Sequence, residues 1–224
     1  MVFGAFGMIA AVALSATSRG GLALQAPEAA LKPIAGMNTL FGPTGLIVTP
    51  TAQVAPHGNF NFGSTFGEKM RGPSVNWGIT PGIEVGGTFL DREDASNKAI
   101  ANGKIMIVPQ NFRYFTVGLG VIDACDAIDR SFYIVGSADF ALPRLIEERA
   151  LGLRLHAGGG TGIFEKHMFG GAEVVITDKF SLVGEFDGIN TNGVLRYRHN
   201  EAFSIQAGFQ HTVLFLGATY GLRF

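Results

Sequence analysis

From Gly58 to Phe224 apolar side chains recur at every second position rather than every third or fourth, the spacing of half-buried β-strands. The last stretch is the clearest. Leu214, Leu216, Ala218, Tyr220, Leu222 and Phe224 share one face, and Val213, Phe215, Gly217, Thr219, Gly221 and Arg223 share the other. The stretch before it repeats the pattern, with Phe203, Ile205, Ala207 and Phe209 against Ser204, Gln206, Gly208 and Gln210. Working back gives further strands near 58–67, 72–79, 82–90, 98–108, 112–122, 131–140, 150–158, 168–176, 180–187 and 193–199. Twelve strands of roughly ten residues then account for the chain beyond Gly58, which is the length that crosses a bilayer when tilted.

The connectors sort into two kinds. Thr80-Pro81-Gly82, Pro109-Gln110-Asn111, Thr177-Asp178-Lys179 and Asn200-Glu201 carry residues that suit tight turns. Asp91–Asn97, Asp123–Asp129 and Gly159–His167 read as longer polar loops. Short turns at one end and longer loops at the other are the layout of a membrane barrel. Two connectors depart from it: Ala141–Arg149 is long for a turn, and Gln210–Thr212 is short for a loop.

Composition narrows the choice. Only 16% of residues are charged, against about 25% in ordinary globular domains, and 47% are hydrophobic. Beyond the N-terminus no uninterrupted apolar run reaches the ~18 residues of a spanning helix, so the apolar surface belongs to a core or to a lipid-facing wall. Charges gather opposite the apolar face: Arg154 and His156 oppose Leu153 and Leu155, Glu185 and Asp187 oppose Leu182 and Phe186, and Arg196 and Arg198 oppose Leu195 and Tyr197. Periodicity fits equally a soluble barrel with an apolar core and a membrane barrel with a polar lumen. The ending on Phe224, with apolar partners at every second position before it, favours the membrane barrel. Leu216, Tyr220, Leu222 and Phe224 are therefore expected to carry an insertion signal for an outer-membrane assembly machinery.

Phe3–Ala16 is an apolar run of signal-peptide length, and cleavage after Ala26 would suit the small residues there. The expected organisation is a signal peptide over 1–26, an extended segment or plug over 27–57, and an antiparallel up-and-down transmembrane β-barrel over 58–224. The protein is expected to travel through the periplasm to a bacterial outer membrane and to contact membrane lipid.

Three stretches also resemble the YjbH-like outer-membrane proteins associated with exopolysaccharide production. They are FGPTGLIVTPTAQVAPHGNFNFG (Phe41–Gly63), VPQNFRYFTVGLG (Val108–Gly120) and FGGAEVVITDKFSLVGEFDGINTNGVLRYR (Phe169–Arg198). The resemblance implies a non-enzymatic barrel serving exopolysaccharide export or envelope organisation, with polysaccharide or export components as partners. It implies no catalytic residues. The alternative is a soluble periplasmic barrel that holds an apolar small ligand.

Other chemistries find little support. A net charge of −1 without a Lys/Arg cluster argues against nucleic acid. Gly158–Gly162 lacks the Lys-Ser/Thr that completes a phosphate loop and reads as a flexible loop. Asp123, Asp126 and Asp129 share one loop but not the ligand spacing of a calcium hand, so solvated acids are expected. The five histidines show no metalloprotease spacing, and Cys125 stands alone, so neither a cofactor nor a metal is expected. The strongest constellation is Glu185, Asp187, Arg196 and Arg198 on consecutive strands, expected to form an ion-pair ladder inside the barrel.

Overall fold

The computed structural model describes residues 37–67, 70–92, 95–107, 115–146 and 149–224. The expected signal peptide, residues 27–36 and the Pro109-Gln110-Asn111 turn lie outside them. Twelve antiparallel strands close into a barrel in simple up-and-down order. They are β1 Asn59–Gly67, β2 Met70–Thr80, β3 Ile83–Arg92, β4 Ala95–Ile107, β5 Phe115–Ile122 and β6 Ser131–Ile146, then β7 Arg149–Gly160, β8 Met168–Val175, β9 Phe180–Phe186, β10 Thr191–Arg198, β11 Phe203–Gln210 and β12 Val213–Arg223.

Closure comes from the pairing of β1 with β12, with Phe62 opposite Tyr220 and Phe66 opposite Leu216. Every strand thus satisfies its main-chain hydrogen bonds on both sides, and no sheet edge is left open. Burial follows the period of two. In β12, Leu214, Leu216, Tyr220 and Leu222 are 44–58% exposed, whereas Phe215 and Thr219 are buried. Phe62, Trp77, Phe89, Ile105, Phe132, Leu182 and Leu195 stand outward on other strands and are all exposed. Arg223, which shares its face with buried Phe215 and Thr219, is nonetheless exposed because it lies at the last rung, opposite Asn59, where the wall ends.

Several connectors are tighter than the turn chemistry implied. β3 runs to Arg92 and β4 starts at Ala95, so most of the loop expected over Asp91–Asn97 belongs to the sheet. The Ala141–Arg149 connector is likewise mostly strand, since β6 extends to Ile146. Gly158–Gly160 is no flexible loop: it pairs with Tyr133–Val135 as the end of β7. Glycine suits this rung because a Cβ on Gly158 would lie 2.4 Å from the Ile134 carbonyl. A 3-10 turn at Gly162–Phe164 follows and tucks Phe164 between Tyr133 and Phe169, with the Phe169 ring 4.5 Å away.

The interior is filled. Residues 37–52 are almost wholly buried, and Leu40, Phe41, Leu46, Ile47 and Val48 pack against inward-facing side chains that include Leu90, Ile122, Val135, Val183, Val194 and Phe215. The segment leaves this interior through exposed Pro56 and His57. Gly58 then receives the Phe224 main-chain N–H at 3.0 Å, which ties the exit to the end of β12.

Candidate functional site: a charged lumen wall around a main-chain plug

Pro43, Pro50 and irregular turns keep residues 37–57 from forming a ladder of their own. Six internal main-chain bonds shape the segment: Thr39 to Pro43, Leu40 to Ile47, Gly42 to Thr39, Gly45 to Met37, Leu46 to Thr49 and Thr51 to Thr44. Gly42 takes φ +106°, and a Cβ there would lie 2.3 Å from the Thr88 hydroxyl, so the chain can turn at this point only as glycine. Many amides and carbonyls still need partners, and unpaired main-chain groups away from water are costly. The barrel wall supplies them.

Glu185 accepts from the amides of Ile47 (2.9 Å), Val48 (2.8 Å) and Thr49 (3.2 Å) and from the Thr49 hydroxyl (2.9 Å). Three successive N–H groups aimed at one carboxylate form an anion nest. Arg196 takes the preceding carbonyls, with Nη2 donating to Gly45 at 3.0 Å and to Leu46 at 2.5 Å. Across the lumen Glu84 accepts from the Thr44 and Ala55 amides (2.8 and 2.7 Å) and from the Thr44 hydroxyl. Lys104 lies opposite Glu84 in the β3–β4 register, 3.6 Å from its carboxylate, and donates to the Thr44 and Thr51 carbonyls. Ser137 accepts the Ala52 amide, and Asn102 donates to the Phe41 carbonyl. All of these wall residues are at most 7% exposed. Most of their contacts are to main-chain atoms, so the wall holds the segment's backbone rather than a particular set of side chains.

A second polar row continues away from the plug. Arg154 reaches Asp139 and Glu173, Glu173 accepts from Ser181 at 2.7 Å and pairs with Arg196 at 3.6 Å, and Arg196 Nε donates to Gln206. This chain runs round half the barrel, from β6 to β11. Buried groups linked in this way support one another because each charge in the row lies beside one of opposite sign.

The expected ladder among Glu185, Asp187, Arg196 and Arg198 does not form. Register decides the matter: Asn192 stands opposite Glu185, and Ser181 stands opposite Arg196. Among the described residues no ion pair links Glu185 to Arg196 or Asp187 to Arg198. Glu185 and Arg196 instead meet on one turn of the plug, one at the amides and the other at the carbonyls. Asp187 organises the β9–β10 turn, accepting from the Ile189 and Asn190 amides at 3.0 and 2.6 Å and from Asn192 Nδ2 at 3.1 Å. Arg198 lies at the far end of β10, where its amide donates to the Lys179 carbonyl.

Of the three loop acids expected to be solvated, Asp126 and Asp129 are exposed, whereas Asp123 is turned inward onto its own loop's backbone. Asp123 is buried and accepts from the amides of Ala127, Ile128 and Asp129, while Asp126 accepts from the Arg130 amide. No group of three or more His, Cys, Asp or Glu among the described residues is arranged to hold a metal ion. Sequence reasoning missed Glu84, Lys104 and Glu173. The available signal was one charge placed at an inward position of an otherwise uncharged strand core, as in Ile83-Glu84-Val85 and Gly103-Lys104-Ile105. The expected terminal signal residues Leu216, Tyr220, Leu222 and Phe224 all lie on the outer face, with Phe224 87% exposed.

No family model matches the chain, and no curated protein matches it. Among solved structures it is similar to a KdgM porin, at 10% identity and a TM-score of 0.49, covering 74% of this chain and 99% of that one. The N-terminal β-barrel domain of Pseudomonas aeruginosa OprF is a more distant likeness, at 8% identity and a TM-score of 0.26, covering 74% and 98%. At these values the functional reading rests on the chain's own residues.

Proposed function

We propose that the chain is a non-enzymatic outer-membrane β-barrel, sealed in this state by its own residues 37–57, and that it serves the organisation of the cell envelope. The observation that carries the reading is the inverted distribution of polarity. Large apolar side chains are exposed around the closed wall, while Glu84, Lys104, Glu173, Glu185 and Arg196 are buried inside. Soluble monomers rarely expose so continuous an apolar band, and lipid makes such a band favourable. A soluble barrel for an apolar ligand calls for the opposite: a polar exterior and an apolar vacancy within. On the resemblance to exopolysaccharide-associated barrels, the envelope process it serves is polysaccharide export, and a filled lumen is compatible with a part in assembly or anchoring there in the sealed state.

Cell fractionation tests the location. The protein is expected in the outer-membrane fraction, migrating as a folded band that shifts on boiling; recovery in the soluble periplasm would reject the reading. The same assay addresses the expected insertion signal. Phe224→Glu removes an exposed ring beside the β1–β12 seam, where aromatic side chains anchor barrels at the interface. Burying that ring contributes roughly 1.5–3 kcal/mol, too little to unfold a twelve-stranded barrel. The expected defect is therefore one of assembly, with protein accumulating in the periplasm yet still refolding into detergent micelles. Normal assembly of the variant would remove Phe224 from the signal.

A further inference from the structure

The wall residues that hold the plug are ionised or strongly polar, which is a costly way to line a lumen meant only to be filled. Replacing buried ion pairs by apolar side chains of similar volume is commonly neutral or stabilising, because desolvation offsets most of the Coulomb gain. Here Glu84, Glu173 and Glu185 face Lys104, Arg154 and Arg196 in the interior, and each is at most 8% exposed. If the plug leaves and water enters, these six groups regain hydration, so their charge favours the empty lumen over the filled one. The plug's apolar side chains and its main-chain bonds to the wall favour the filled state. The segment is also suited to moving as a unit: it joins the barrel through exposed Pro56 and His57, and its long-range polar contacts are to the wall.

From this balance we propose that residues 37–55 are a withdrawable gate, and that withdrawal opens a hydrated conduit for small neutral polar solutes. The proposal rests on the membrane-barrel reading above. The class of solute follows from the wall. Buried Asp123 and Asp187 are taken up by the amides of their own loop and turn, and the three acids and three bases left on the inner wall give little net field, so the open lumen discriminates weakly by charge, while its hydrogen-bonding groups suit hydroxylated solutes. A strongly acidic or basic lumen would select ions instead.

The test uses the full chain carrying Cys125→Ser, Ala52→Cys and Ser137→Cys in planar bilayers. The Ala52 amide lies 2.9 Å from the Ser137 hydroxyl, which places the new thiols on adjoining plug and wall positions. Reduced protein is expected to open intermittently under voltage, with cation and anion permeabilities within about threefold of each other. Oxidation is expected to abolish the openings, and reductant to restore them. In a separate Glu185→Gln variant, loss of the carboxylate in the amide nest is expected to raise open probability about tenfold or more. Liposomes holding that variant should admit glucose about as readily as gluconate or faster. Folding in every sample is read independently from heat-modifiable migration. Folded, inserted protein that never opens, in reduced form or as Glu185→Gln, would overturn the gate while leaving the barrel reading intact. Openings that persist after oxidation would also overturn it, since the path would not then depend on plug withdrawal. Failure to insert would reject the barrel reading, and the gate with it.

Discussion

Glu185→Ala is expected to loosen the plug far more than the loss of any other acid that the strand pattern singles out. The substitution leaves the amides of Ile47, Val48 and Thr49 buried without their shared acceptor. Removing one partner of a buried charged interaction costs about 3–5 kcal/mol. At about 1.4 kcal/mol per decade, hydrogen exchange at these three amides should accelerate on the order of 100-fold or more. Asp187→Ala makes the informative comparison, because Asp187 bonds its own turn. Its expected effect is confined to the Ile189 and Asn190 amides, with the plug still protected. Equal effects of the two substitutions on plug exchange, measured by mass spectrometry on protein folded in micelles, would mean that Glu185 does not hold the segment.

The second large effect concerns the outer face. Leu182 is 46% exposed and stands between Val174 and Leu195 in the β8–β9–β10 register. An arginine on the lipid face near the midplane costs ~2–4 kcal/mol, so Leu182→Arg should lower folding free energy in lipid vesicles by that amount. On a wall that met water the same substitution would be close to neutral, since surface changes rarely exceed about 0.5 kcal/mol. Reversible urea titrations in vesicles separate the two outcomes. Alternation alone would make Ser181 the tolerant neighbour, because an inward side chain in an open lumen reaches water. The filled lumen removes that tolerance: Ser181 is 1% exposed and donates to Glu173, so a larger side chain there would overpack the interior.

Most of the barrel was legible from side-chain alternation because a two-residue period is a local property, and closure preserves it in every strand. The limits of β8 to β12 fall within about two residues of those expected for that reason, with Thr177-Asp178-Lys179 and Asn200-Glu201 marking turns. Connectors were less legible. Residues 91–97 and 158–160 are polar or glycine-rich, which reads as loop, yet cross-strand pairing holds most of them in the sheet. The pairing among the lumen charges was not legible at all. It depends on register, which sets Asn192 opposite Glu185 and leaves Arg196 four residues further along β10, opposite Ser181. Glu84 and Lys104 became visible as a pair only once β3 and β4 were aligned, and their role only once the plug's main chain lay between them and the opposite wall.

Contact between the apolar outer wall and lipid is reported directly by Trp77, the one tryptophan in the chain. Its indole stands on the outer face of β2, 45% exposed, beside Phe60 and Val85 in the register. The protein is folded into vesicles whose lipids carry bromine on their acyl chains, and its fluorescence is compared with that in unbrominated vesicles and in the presence of aqueous acrylamide. Strong quenching by the brominated chains, with little effect of acrylamide, is the predicted result. Full fluorescence in brominated vesicles, together with efficient quenching by acrylamide, would contradict that contact.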